Sequence, residues 1–334
     1  MLKKKTTIHY ILYDGDGRYL HHFMKPKQDS KGSSEDDTNS INSDQDEEDN
    51  KEESSNLQKE LEKKPAEVVA RLLVEWMTIY GIDETLKLLA ADSTNPNTGW
   101  RAGVIAWVER ILDRKFHWLI CQLHTNELML CHLIQKLDGK TDSKTGCSGP
   151  LGKMLNNVKD MKPNYDFERI DLGPNLIELP EEVLHDLSTD QNLLYKRCKA
   201  VKSGVLPKDV ALRKSGPIVH SRWLTTAETF LEMWQKNHGL EGELLERLRT
   251  IVTFIVSEYC PMWFKIKAKY SWLEGPCHIL YELSLFRLQP EHVQEILLPT
   301  LQRSAWNSHS ESVLQTMICS SDREDWKFPI NNFF

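Results

Sequence analysis

The first apolar stretches of the chain, residues 6–13 and 18–23, are rich in β-branched and aromatic side chains, which favour strands. Asp-Gly-Asp-Gly at residues 14–17 separates them, and these residue types form tight turns. The pattern therefore predicts a β-hairpin at the start of the chain.

After residue 64 the spacing of apolar residues alternates between that of helices and that of buried strands. Apolar residues recur every three or four positions in 65–81, 104–112 and 124–137, which predicts amphipathic helices. The short apolar runs 86–91 and 116–121 predict buried strands. The order strand, strand, helix, strand, helix, strand, helix predicts an α/β (α+β) domain with its sheet packed between helices.

A second region begins after residue 138. Residues 139–180 are rich in Gly, Lys, Thr and Pro and predict a loop-rich linker, and helical spacing dominates residues 181–334. Two apolar helical faces stand out in this last region: Trp223, Ala227, Phe230, Leu231 and Trp234, and then Leu244, Leu245, Leu248, Ile251, Val252, Ile255 and Val256. We therefore predict a hairpin in 1–27, an insertion in 28–64, the rest of the sheet domain in 65–138, a linker in 139–180 and a mainly helical region in 181–334.

The predicted insertion is strongly acidic. Residues 28–64 contain 13 acidic and 5 basic side chains, and residues 30–58 have only Ile41 and Leu57 as apolar ones. Such a segment buries too little apolar surface to offset the entropy of ordering, so we predict that it is disordered. Because the net charge of the chain is −7, the rest of the chain carries about +1. A strongly basic nucleic-acid clamp is thereby excluded, and any nucleic-acid binding must come from a local patch.

The cysteines and the lengths of the apolar runs bear on the compartment. Seven scattered cysteines, an odd number, are typical of free thiols in a reducing compartment. No apolar run reaches the roughly 20 residues that a membrane-spanning helix needs. We therefore expect an intracellular protein, in the nucleus or the cytoplasm, with no membrane partner.

Asp92 follows the predicted strand 86–91 and precedes a polar loop and a helix. Ligand-binding groups of open α/β sheets lie at this position, and a carboxylate there can hold Mg²⁺. The alternative is that Asp92 forms a turn by bonding its own backbone, as Asp often does after a strand.

Cys121 and His124 stand at the junction of the strand 116–121 and the next helix, and Cys131 and His132 follow on that helix. A zinc site would need four ligands that converge tetrahedrally, and these residues lie on different elements about two turns apart. A buried thiol and a hydrogen-bonded imidazole are the preferred interpretation. Cys-His nucleophilic catalysis is less favoured, because no third orienting group is evident.

Residues 196–222 hold eight Lys or Arg and one acid, Asp209. This basic run ends at Arg222 and Trp223, a pair in which a guanidinium can bind phosphate while an indole stacks on a base. The alternative is that Trp223 packs in the core and Arg222 pairs with an acid. The sequence leaves both interpretations open.

Three motifs occur together in the chain: Asp-Ser-Thr-Asn-Pro-Asn-Thr-Gly at 92–99, Cys-Gln-Leu-His at 121–124 followed by Thr-Asn-Glu-Leu, and His-Ser-Arg-Trp at 220–223. In their order and joint presence they resemble the hAT-like branch of DNA transposases, and especially transposon-derived proteins of animal genomes. The resemblance covers roughly residues 65–330. It implies a ribonuclease-H-like sheet domain, partial in this chain, followed by a mainly helical region of the insertion type.

The resemblance also implies roles for single residues. Asp92 matches the second metal-binding Asp of the family, and Cys121 and His124 match the C-x-x-H that follows it. Arg222 and Trp223 match the Arg-Trp of the insertion domain that touches DNA near the cleavage point. In an active member, three carboxylates would hold two Mg²⁺ or Mn²⁺ ions.

Two of those three carboxylates lack a clear counterpart. The first Asp belongs on the first strand of the sheet, whereas this sequence starts with a hairpin that resembles the second and third strands. Asp14 and Asp16 lie in the turn of that hairpin and are poor substitutes. Glu274 and Glu282 are candidates for the final Glu. Because the carboxylate set is incomplete, we expect no catalysis and no bound cofactor.

Three functions are compatible with these observations. The preferred hypothesis is a transposon-derived, catalytically inactive transposase-like protein that retains binding to DNA or to protein. The second is an active divalent-metal-dependent DNA strand transferase or nuclease. The third is a structural protein-interaction module with no nucleic-acid role. A carboxylate beside Asp92 would favour the second, and a buried Trp223 would favour the third.

Overall fold

The structure is a computed structural model that describes residues 9–13, 19–24, 65–142, 146–216, 222–269 and 274–308. This part of the chain is mostly helical with small sheets, an α+β-like arrangement. It divides into two compact units, the first made of Met1–Lys87 and Thr94–Phe116 and the second of Leu88–Ser93 and His117–Phe334. The predicted acidic insertion and the hairpin turn at 14–17 lie outside the described residues.

The described part of the first unit contains a hairpin and three helices. Strands β1 (His9–Tyr13) and β2 (Tyr19–Met24) pair antiparallel, with a register shift between Leu12 and Tyr13. The predicted hairpin is therefore confirmed. The helices are α1 (Pro65–Ile79), α2 (Asn95–Thr98) and α3 (Val104–Ile111).

Helices α1 and α3 pack against each other through the faces that their apolar spacing predicts. Val68, Val69 and Met77 of α1 and Val108 of α3 are buried. Helix α1 ends before Gly81, whose φ of +63° is a left-handed conformation that glycine adopts without steric cost. Both predicted helices of this unit are confirmed.

The described part of the second unit contains two short sheets. Strands β3 (Leu88–Ala91) and β4 (His117–Ile120) pair in parallel, and β5 (Thr141–Asp142) and β6 (Gly146–Cys147) pair antiparallel. The strands predicted in 86–91 and 116–121 are confirmed. The expectation that the hairpin joins them in one sheet is wrong for the described residues, whose six strands form three separate two-stranded sheets. The hairpin strands pair with each other, and β3 is only four residues long, with Leu88 46% exposed.

Ten α-helices form the rest of the described second unit: α4 (Gln122–Asp138), α5 (Pro150–Leu155), α6 (Glu181–Asp186), α7 (Thr189–Ser203), α8 (Lys208–Ala211), α9 (Arg222–Gln235), α10 (Gly242–Phe254), α11 (Cys260–Ala268), α12 (Gly275–Phe286) and α13 (Glu291–Asn307). A 3₁₀ turn spans Val158–Asp160, and a π-helix, Ile255–Tyr259, joins α10 to α11. Helix α7 starts with a capping box in which Ser188 and Gln191 satisfy each other's backbone N–H groups.

The core of the second unit forms where α4, α7 and α10 meet the π-helix, and α9 packs on the same three helices. Both predicted apolar faces lie in it, and Phe230, Leu248 and Ile255 are 0% exposed. Burying each such side chain contributes about 1.5–3 kcal/mol. Among the described helices, none combines the length and the apolar character that crossing a bilayer would take.

Candidate functional site

The carboxyl ends of β3 and β4 bring two predicted site residues together. Ala91 pairs with Ile120 in the parallel register, and the Cys121 N–H donates to the Ala91 carbonyl at 2.9 Å. Asp92 and Cys121 therefore leave the sheet side by side, and the Asp92 side chain is exposed. Each residue follows a strand, as the sequence pattern predicts.

Cys121 is a partly buried thiol at the start of α4. Burial raises the pKa of the thiol, and the nearby Glu127 and Asp92 carboxylates raise it further. Hydrogen bonds from the backbone N–H groups of His124 and Leu123 lower the pKa in part, but the net shift is upward. The group therefore stays a neutral thiol at neutral pH and is not activated as a nucleophile. His124 Nδ1 lies 3.6 Å from Glu127 Oε2, and its buried Nε2 has no hydrogen-bond partner among the described residues.

Polar side chains continue behind this strand edge into the interior. Gln122 Nε2 donates to the Ile120 carbonyl at 2.9 Å and to Ser308 Oγ at 3.3 Å, and Asn126 Nδ2 donates to the Tyr259 carbonyl at 3.0 Å. Within the described part of the chain, Gln122 Oε1, Asn126 Oδ1 and the Tyr259 hydroxyl have no hydrogen-bond partner. Burial raises the pKa of Tyr259 well above its ordinary value. Such unsatisfied groups are costly, and in folded proteins they often mark functional sites.

A pair of buried carboxyl groups lies deeper in the same unit. Glu258 belongs to the π-helix and Glu282 to α12, and both side chains are 0% exposed. Burial raises the pKa of Glu282 to about 8. Burial also raises the pKa of Glu258 well above its ordinary value, the Glu282 charge adds to the rise, and the neighbouring Gln289 side chain opposes it. Gln289 Nε2 donates to Ser257 Oγ at 2.8 Å. At neutral pH these carboxyl groups are therefore largely protonated.

Glu274 and Glu282 are the two candidates for the final metal-binding Glu. Glu274 lies at the start of α12, where Lys269 Nζ is 2.8 Å from its carboxylate and lowers its pKa. Glu282 is internal and holds a proton. Among the residues that the structure describes, no three His, Cys, Asp or Glu side chains are grouped as a metal site requires. Within the described residues, Asp92 is therefore not part of such a group.

Cys131 and His132 have partners away from Cys121. Cys131 is buried with its Sγ 4.0 Å from Thr141 Oγ1, and His132 Nδ1 is 2.5 Å from Thr300 Oγ1. Burial lowers the pKa of His132, and the Arg303 charge lowers it further. The preferred interpretation of a buried thiol and a hydrogen-bonded imidazole agrees with these contacts.

A groove of about 710 Å³ runs between α4 and α13, and its wall includes His132, Lys136, Glu295 and Arg303. Arg303 also donates to the carbonyl of Ser93, the residue after Asp92. The cationic side chains of Lys136 and Arg303 and the carboxylate of Glu295 line the groove, so its charge is nearly balanced.

The basic run 196–222 does not present its cations together to solvent. Arg197 is 0% exposed and Lys202 is 7% exposed, with Lys202 Nζ donating to the Leu172 and Gly173 carbonyls at 2.8 and 3.1 Å. Three more cations form ion pairs: Lys196 with Asp209 at 3.4 Å, Lys199 with Glu178 at 2.8 Å and Lys214 with Asp160 at 4.0 Å. Two of these five cations are therefore buried, and the other three lie at the surface in exposed ion pairs that offset part of their charge. Phosphate binding by the run stays a prediction.

Trp223 is 8% exposed and lies in the hydrophobic core of the second unit, on the same helix as the buried Leu224 and Ala227. Its burial favours the core alternative over stacking on a base. Arg222 is the first residue of α9, and its side chain lies outside what the structure describes. A DNA contact by Arg222 stays a prediction.

Replacing Trp223 by Ala is expected to lower the free energy of unfolding by about 3 kcal/mol, because it empties space in the core. Urea denaturation followed by circular dichroism measures this. Trp100→Ala is the matched control, because Trp100 is 62% exposed and its loss should cost less than about 0.5 kcal/mol. An equally small effect at Trp223 would restore the stacking interpretation.

The sequence pattern did not predict a group of aromatic and basic residues in the first unit, of which Trp100, Arg101 and Arg110 are exposed and Trp107 is half-buried. Trp100 and Arg101 form one stacked pair, with the guanidinium 4.2 Å from the ring centroid, and Arg110 lies 4.8 Å from the Trp107 ring. The available signal was Trp-Arg between two glycines in a polar loop, Asn-Thr-Gly-Trp-Arg-Ala-Gly. A tryptophan outside any helical spacing is a candidate for the surface.

The chain matches no protein-family model, and searches of curated proteins and of solved structures found no significant match.

Proposed function

We propose that this chain is a transposase-like protein that binds nucleic acid without cleaving it. The observation that carries the proposal is the meeting of two motifs at one strand edge. Asp92 and the Cys121-x-x-His124 motif follow adjacent parallel strands, as expected if β3 and β4 derive from a ribonuclease-H-like sheet. The joint order of the three motifs supports the same ancestry.

The chemistry of the carboxyl groups supports a role without cleavage. A two-ion mechanism needs several ionised carboxylates around the metal ions. The Glu282 carboxyl group is buried and protonated near neutral pH, and the Glu274 carboxylate is paired with Lys269. One candidate for the final Glu is thus protonated, and the other is ionised but held in an ion pair, so no catalytic step follows from either together with Asp92.

The second candidate function is a protein-interaction module with no nucleic-acid role. The burial of Trp223 and the buried ion pair of Arg197 with Glu228 favour it, because both remove groups that could contact DNA. The two candidates differ in a measurable property, since only the first binds nucleic acid with a steep dependence on salt.

We predict that the purified chain binds single-stranded DNA at low salt and leaves it intact with Mg²⁺ or Mn²⁺. Binding is followed by fluorescence anisotropy, and cleavage by a denaturing gel on the same samples. Asp92→Ala should change neither result, because one carboxylate does not hold the metal pair. Asp92→Asn is the isosteric control.

Two outcomes separate the rival hypotheses. Metal-dependent nicking that Asp92→Ala abolishes would establish the active transferase or nuclease. Absence of binding to any nucleic acid at low salt would favour the interaction module.

A further inference from the structure

Four side chains of the first unit form what we call the Trp–Arg surface: Trp100, Arg101, Trp107 and Arg110. Trp100 is 62% exposed, unusual for so large an apolar ring. Arg110 joins the two cation–π pairs, because its Nη2 donates to the Arg101 carbonyl at 2.5 Å while its guanidinium lies over Trp107. Both indoles and both guanidinium groups therefore belong to one connected surface.

A tight loop fixes this surface. The Gly103 N–H donates to the Gly99 carbonyl at 2.7 Å, and helix α3 starts directly after Gly103. A Cβ atom at Gly103 would lie 2.5 Å from Gly99 N and 2.7 Å from the Asn97 carbonyl oxygen, so the backbone approaches too closely for any other residue. Trp100 and Arg101 thus stand on a short, constrained loop, and little conformational entropy is lost when a ligand binds them.

The loop that carries Trp100 and Arg101 contains a basic residue and no acidic one. Residues 93–108 contain no Asp or Glu, and Arg101 is their one charged side chain. Glu109, the next acid, is 7% exposed and bonds Lys115 Nζ at 2.7 Å. The loop itself therefore carries positive charge and no acid, beside the exposed indole of Trp100 and the half-buried indole of Trp107.

We propose that the Trp–Arg surface binds single-stranded nucleic acid, with an unpaired base stacked on Trp100 and the adjoining phosphates on Arg101 and Arg110. An indole accepts the face of any base, and a guanidinium fork matches phosphate oxygens. A base paired in a duplex does not expose its face, so the surface selects single strands. This inference rests on the proposed function, since it names the site where the nucleic acid binds.

The test uses the full chain and two fluorescent probes of about 20 nucleotides, oligothymidylate and oligouridylate. Trp100→Ala should raise the Kd roughly 10-fold, the effect of losing one stacked base. Arg101→Gln should weaken binding and reduce the slope of log Kd against log salt by about one. Melting temperatures should match that of the wild type, because both side chains are exposed.

Two variants serve as controls. Tyr165→Ala removes another exposed aromatic ring, 55% exposed in the second unit, and Arg71→Gln removes an exposed cation from α1 that pairs with Glu67. Both should bind like the wild type. If Trp100→Ala proves unstable, Arg101→Gln alone decides the question.

The outcomes separate this inference from the proposed function. If the wild type binds and both Trp–Arg variants bind equally well, the inference is wrong and the proposed function stands. If the wild type binds neither probe, both fail. Equal affinity for a duplex would contradict the stacking. A preference for one probe keeps the proposal and identifies the natural ligand as DNA or RNA.

Discussion

Glu282→Gln is expected to stabilise the protein increasingly as pH rises, by about 4 kcal/mol at pH 8 and above. Burial raises the pKa of Glu282 to about 8, whereas the unfolded chain has the ordinary value of 4.5. Between these values the folded state holds a proton that the unfolded state has released, so wild-type stability falls as pH rises. Each pKa unit of difference corresponds to about 1.4 kcal/mol. Glutamine mimics the neutral acid and does not titrate.

Urea denaturation at several pH values from about 5 to 9 measures this effect. At pH 5 the variant and the wild type should agree within about 1 kcal/mol, because the acid is neutral in the fold. Glu246→Gln is the control, since its exposed carboxylate on α10 should add no such slope. If the free energies of unfolding of Glu282→Gln and the wild type changed with pH in the same way, the Glu282 carboxyl group would be hydrated in solution.

Arg197→Met is expected to lower the free energy of unfolding by about 4 kcal/mol at neutral pH. The Arg197 Nε donates to Glu228, Nη1 donates to Gln235 at 2.8 Å and Nη2 to the Arg213 carbonyl at 2.7 Å. The Glu232 carboxylate, in the same buried network, accepts hydrogen bonds from Lys236 and Ser215. Burial already raises the pKa of Glu228 against the opposing charge of Arg197. Without Arg197, Glu228 would be a buried carboxylate with no cation to offset its desolvation.

Lys199→Met on the same helix is the matched control. Its ion pair with Glu178 is exposed, so its loss should cost less than about 1 kcal/mol. Adding Glu228→Gln to Arg197→Met should recover part of the lost stability, because the orphaned charge is removed. A loss at Arg197 as small as at Lys199 would show that the buried network does not stabilise the fold.

The elements with strong periodicity were predictable from the sequence. Helix α1, the strand cores around Ala91 and Ile120, and the face that contains Ile251 and Ile255 follow directly from apolar spacing. The arrangement of the strands was not predictable, because short strands carry no signal for their partner. The π-helix was also missed, since apolar spacing continues through residues 251–256 into it.

Charge along the sequence was a poor guide to the candidate site. Arg197 counts as basic in residues 196–222, yet its side-chain partners Glu228 and Gln235 lie 31 and 38 residues later, on α9, and only folding brings them together. Glu258 sits in an apolar stretch, where an acid is costly, and that was the available sign of the buried pair. Trp100, in contrast, is exposed on a loop that two glycines constrain.

Nucleic-acid binding by the first unit is tested most directly by photocrosslinking. The full chain is irradiated with oligothymidylate, digested with trypsin, and the peptide that carries the nucleotide is identified by mass spectrometry. We expect adducts at Trp100 or Trp107, which lie in peptides ending at Arg101 and Arg110. An adduct confined to the peptide that starts at Trp223, or no adduct under conditions where the protein binds the probe, would contradict the account.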